Sequence, residues 1–172
     1  MSLKAREVLA DAAVAIEDFE ASPATRYWRT RWVAVIAILR AVGHVADKVD
    51  GESDQYLRAA IDAEFAKLRS TRPEPNIYWQ FIVAERNIVL KEMLLGAHLN
   101  IMIRPGTAWW SAKTRETGGL EGEPTTYEHF MRGGIYDGRD PRELCREASE
   151  FWQGYLNRVE RHASDAIGRA AV

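Results

Sequence analysis

Apolar residues recur at helical spacing along most of the chain. In residues 2–21, Leu9, Ala12, Ala13, Ile16 and Phe19 fall on one side, with Ser2 placed as N-cap, and "SPAT" interrupts the pattern at 22–25. A second helix is predicted over about 25–49. Its stripe of Trp28, Trp32, Val35, Leu39, Val42 and Ala46 is widened by Ile36, Ile38 and Val45, which marks a central helix. "DGES" ends it, and Ser53 is placed to cap a third helix over 54–69 with Leu57, Ala60, Ile61, Phe65 and Leu68 inward. "RPEP" at 72–75 cannot continue a helix. A fourth, over about 76–95, is again apolar nearly all round. The last runs from 141 to about 168, where Asp140, Pro141 and Glu143 spell a capping box and Leu144, Ala148, Phe151, Trp152, Tyr155, Val159 and Ala163 face inward.

Residues 96–139 break this period. "HLNIMIRPG" alternates Leu99, Ile101 and Ile103 with polar or longer residues, glycines cluster further on, and "TTYEHFM" offers a second strand. The fold class expected is therefore mainly α: an up-and-down bundle of about five helices, with a small β-hairpin or irregular insertion before the last. No repeat, low-complexity tract or linker divides the chain, so residues 1–172 are expected to form one domain.

Composition narrows the function classes. The chain is 47% hydrophobic and 28% charged, with a formal net charge of -2, so no global positive field marks a nucleic-acid binder and nothing signals DNA specificity. Cys145 is the only cysteine, which excludes an intrachain disulfide and a thiolate-rich metal site. The N-terminus lacks signal-peptide character, and the longest apolar run, 32–39, is short of the ~20 residues a bilayer needs. A cytoplasmic protein without membrane association is expected. His44, His98, His129 and His162 have no metal-ligand spacing, and no glycine loop cradles a phosphate, so neither metal nor cofactor is expected.

Polar residues inside apolar stripes carry the candidate chemistry. Arg40, His44 and Asp47 follow at i, i+4 and i+7 and share one surface, where a guanidinium beside an imidazole suits phosphate binding and proton transfer. The alternative is a structural network joining Arg40 to Glu85 or Glu92 of the fourth helix. At 100° per residue, Arg86 points with Trp79, Ile82, Val83, Leu90 and Met93, while Asn87 lies on a polar line with Gln80 and Lys91. An arginine on an apolar face requires a carboxylate or phosphate partner. Weaker candidates are "RYWRTRW" at 26–32, as an RNA-stacking surface or a helix start with solvated arginines, and Trp109-Trp110. His162 reads as a hydrogen-bonded core histidine, and Cys145 as an inert buried thiol.

"ILRAVGHVADK", followed some forty residues on by "WQFIVAERNIVLKE", resembles the HEPN-type helical bundles of bacterial defence and toxin–antitoxin systems, over roughly residues 25–95. In active members an Arg and a following polar residue precede a His on one helix, and two protomers join these motifs in a cleft that cleaves RNA without metal. Arg86 and Asn87 match that motif. Where the His should fall stand Lys91, Glu92 and Met93. The resemblance thus implies a HEPN-like homodimer without the complete ribonuclease motif, binding RNA or a protein partner in a defence or toxin–antitoxin setting. Two other readings stay open. One is an active metal-independent endoribonuclease using Arg86, Asn87 and Lys91, with His44 in an altered role. The other is an oligomeric scaffold with a small-ligand pocket between helices two and four.

Overall fold

The computed structural model describes residues 3–21, 27–102 and 126–170. Ser2, Arg26, Trp109 and Trp110, on which expectations above rest, lie outside them. The chain is mainly helical, with one two-stranded antiparallel hairpin before the last helix, as the periodicity implies. Helix α1 spans Lys4–Ala21, α2 Trp28–Val45, α3 Gln55–Ser70, α4 Ala84–Glu92 and α5 Pro141–Ala170; strands β1, Ala97–Met102, and β2, Thr126–Met131, pair from Ala97↔Met131 to Met102↔Thr126. No helix among the described residues is long and apolar enough to cross a membrane.

Helix α2 is central. It packs against α1, α4 and α5, and Trp32, Val35, Ile36, Leu39 and Val42 are all buried. Trp32 contacts Phe19 of α1 at 5.5 Å and Phe81 at 5.9 Å between ring centroids, so the core is built on fused aromatic contacts.

Helix ends depart from the expected positions, each for a local reason. The "DGES" sequence does not break α2. The helix passes through a π-helical stretch, Ala46–Asp50, and one more turn, Gly51–Ser53. A side chain at residue 51 would collide with the Arg58 guanidinium, which bonds the Asp47 carboxylate at 2.7 Å and the Asp47 carbonyl. The extended residue is Asp54, and Asp54 rather than Ser53 caps α3: its Oδ1 accepts from the Tyr56 and Leu57 amides at 2.8 and 2.9 Å, while Ser53 Oγ donates to the Asp50 carbonyl at 2.7 Å.

The fourth helix begins as a π-helical stretch, Ile77–Val83, before α4, and ends at Glu92 because Met93 takes a left-handed φ of 54°. At α5, Asp140 Oδ1 accepts the Arg142 amide at 2.8 Å, and Glu143 lies 3.6 Å from Arg139. Asp140 is the cap, but the reciprocal box does not close.

Further differences concern which residues are inside: Ala13, expected on the apolar side of α1, is exposed because the buried stripe there is Leu9, Ala12, Ile16 and Phe19. Phe65, expected in the α3 core stripe, is exposed, and Glu64 is buried in its place. Glu64 can be buried because Lys67 and Arg158 each meet it at 2.8 Å and His162 Nδ1 lies at 3.2 Å. His162 is therefore partnered, as expected, but half-buried rather than in the core. The N-terminus of α1 is capped across the fold: the Asp50 carboxylate accepts the Lys4 and Ala5 amides at 2.7 and 2.9 Å.

Candidate functional site

A cavity of about 140 Å³ lies between α2, α3, the Ile77–Val83 stretch and α5. Arg40, His44 and Asp47 all line it, so the i, i+4, i+7 grouping read from α2 is one surface in the fold. The floor is aromatic. The Trp152 ring stands edge-on to Tyr78 at 5.7 Å and to Tyr155 at 5.5 Å, and all three are buried. Trp152 reaches this position because Gly43 has no side chain; a Cβ there would lie inside the indole. Exposed His44, Asp62 and Phe65 form the mouth.

The charges around this cavity are unequally partnered. Asp47 bonds Arg58 at 2.7 Å and Lys48 at 3.0 Å, and these bonds, Arg58's first, hold its carboxyl below the usual range. Asp62 lies 3.5 Å from the same arginine. Those two carboxylates and two cations compensate one another. Arg40 has no hydrogen-bond or ion-pair partner among the described residues, and the link expected to Glu85 or Glu92 is not made. Burial raises Tyr78, partly offset by the Arg40 charge, and raises Tyr155 further, so both phenols remain neutral hydrogen-bonding groups rather than bases.

Arg86, Asn87 and Lys91 lie elsewhere, on α4. Arg86 is half-buried and its Nη1 donates to Asn87 Oδ1 at 3.1 Å; no carboxylate of the described residues meets it. The partner its position demanded is, within this chain, only its neighbour's amide. Lys91 and Glu92 are exposed and unpaired among the described residues. Glu85 is buried beside the hairpin, accepting the Gly96 amide at 3.2 Å, and burial pushes its carboxyl up.

The other candidates resolve simply. In the segment 26–32, Trp32 is buried, Arg31 pairs with Asp18 at 2.7 Å and Arg29 bonds the Met93 carbonyl at 3.0 Å. Cys145 is fully buried, with its thiol pushed well up by burial, which makes it a poor nucleophile. No cluster of three metal-ligating side chains occurs among the described residues.

Sequence reading missed Gly43, Asp62, Phe65, Tyr78 and the side of α5 that closes the cavity. One signal was present: a lone glycine inside a helix of large residues marks a close approach. No family model, curated protein or solved structure matches the chain.

Proposed function

We propose that this protein is a small-ligand-binding helical bundle whose site is the cavity between α2, α3 and α5. The observation that carries the reading is the cavity itself: an aromatic floor and a polar mouth inside the core, the usual make-up of a small-molecule site. Its size suits a single ring, since a cavity of about 150 Å³ accepts benzene. The test is a fragment screen by heteronuclear NMR on the full chain. Shifts are expected to cluster at Gly43, Phe65, Tyr78 and Trp152 and to vanish in Leu68→Phe, which fills the cavity. Shifts scattered over the surface, or unchanged in that variant, defeat the proposal.

A second reading is favoured by one observation, that no carboxylate of the described residues partners half-buried Arg86. It is that of a HEPN-like homodimer in a cytoplasmic defence or toxin–antitoxin setting, where an RNA phosphate or a partner protein meets that arginine. Lys91 stands where the motif has a histidine, and a primary amine is a poor proton shuttle near neutral pH. Purified protein with labelled single-stranded RNA in chelator is therefore expected to bind weakly and salt-sensitively, without cleavage. Cleavage lost in both Arg86→Ala and Lys91→Ala would make it the ribonuclease instead.

A further inference from the structure

The cavity proposed above as a ligand site also carries information on the class of ligand. The four charges on the Asp47 side, Asp47 and Asp62 against Arg58 and Lys48, cancel in their own contacts. What remains is Arg40, which lines the cavity and has no hydrogen-bond or ion-pair partner among the described residues. Such a cation, next to a low-dielectric aromatic floor, favours negative charge more than an exposed one would. Its planar fork matches a carboxylate or another flat oxyanion. Tyr78 lines the same cavity, and the Arg40 charge partly offsets the rise that burial gives its hydroxyl, so a neutral phenol shares the cavity with the cation.

The floor sets the rest of the molecule. Trp152, Tyr78 and Tyr155 meet edge to face and line the floor with aromatic rings. The space is about 140 Å³, which admits one ring and excludes a fused system bearing bulky substituents. A cationic ligand is disfavoured because both carboxylates of the cavity are already taken by Arg58.

We infer that the site takes a small single-ring aromatic monoanion, its ring on the Trp152 floor and its carboxylate or equivalent oxyanion on Arg40. This rests on the cavity being a ligand site at all, and the experiment separates the two ideas. Benzoate, benzyl alcohol and benzylammonium are titrated into the full chain at constant ionic strength, followed by NMR shifts at Gly43 and Trp152. Benzoate is expected to bind about tenfold more tightly than benzyl alcohol, the worth of a charge-assisted hydrogen bond. Arg40→Gln is expected to bring that ratio near one, and Arg40→Lys to restore part of it. Added chloride is expected to lower the ratio in the unaltered chain, which reads the same charge without any substitution. Benzyl alcohol or benzylammonium binding as well as benzoate overturns the anion inference and leaves the ligand site standing. Failure of all three to shift the cavity resonances removes both.

Discussion

Two buried glutamates show how the same side chain acquires opposite pH behaviour. Burial alone would raise Glu64, but hydrogen bonds from Lys67 and Arg158 outweigh it and bring the carboxyl below its usual range. A depressed folded-state pKa contributes stability above the unfolded value, and this is lost as pH falls through the folded one. Acid unfolding is therefore expected to draw on Glu64 below about pH 4.5, and Glu64→Gln to flatten urea stability against pH there. Its partners are half-exposed, so solvent screens them, and the expected loss at neutral pH is about 1–3 kcal/mol. Glu85 has the reverse sign: burial raises it, with only the Gly96 amide offsetting. Its charged form is destabilising, so stability falls as pH rises from the usual carboxylate range through the raised folded value. Glu85→Gln, which keeps an acceptor for Gly96, should raise the urea midpoint at neutral pH and make no difference at low pH. Arg86 is a residue where position on a helix overstated the energetics. Bonded only to Asn87 among the described residues, it lacks there the buried ion pair whose rupture costs about 3–5 kcal/mol. Arg86→Ala is expected to cost below about 1 kcal/mol, close to exposed Arg161→Ala, when both are measured by denaturant unfolding.

At the level of elements, the helices were legible because each buries an apolar stripe at the 3.6-residue period. The hairpin was legible because residues 97–102 switch to alternation and a second short strand run follows at 126–131. What was not legible were the π-helical stretches at Ala46–Asp50 and Ile77–Val83. Hydrogen bonds from i to i+5 put more residues in a turn, so a wheel drawn at 100° per residue loses phase across them. Trp79, placed on the face of Arg86 by such a wheel, instead donates its indole N–H to the Leu68 carbonyl of α3 at 3.3 Å and is covered by Arg72. The grouping of Arg40, His44 and Asp47 was read correctly because it begins in regular α-helix and has barely entered the first π-helical stretch at Asp47. The closing wall from α5 was invisible, since nothing local to Arg40 says which distant helix covers it. The close packing of α2 on α5 makes a specific demand: Gly43→Ala forces the Trp152 ring to move, with an expected loss of about 1–3 kcal/mol from overpacking. A change in the near-ultraviolet tryptophan signal should accompany the lowered melting temperature.

For the whole molecule, the proposed homodimer needs an exposed apolar surface. Helix α2 turns Trp32, Val35, Ile36, Leu39 and Val42 into the core, so those side chains do not supply it. Four of the exposed apolar residues lie at the end of α4 and beyond, Leu90 at 49%, Met93 at 63%, Leu94 at 59% and Ile135 at 60% of full exposure, while Val14, Val49 and Ile167 are exposed on other elements. Light scattering at micromolar concentration is expected to give twice the chain mass, falling to one in Leu90→Glu/Met93→Glu. A monomer in the unaltered chain would end the proposal. The Asp50 carboxylate has a consequence of another kind, for the order in which the chain acquires structure. It supplies the cap of α1 from 46 positions away, so α1 lacks that stabilisation until α2 has formed through its end. While the chain is being synthesised, α1 emerges before Asp50 and thus waits for its cap. Its amides should exchange with solvent in any nascent fragment ending before residue 50, and become protected only once that carboxylate has arrived.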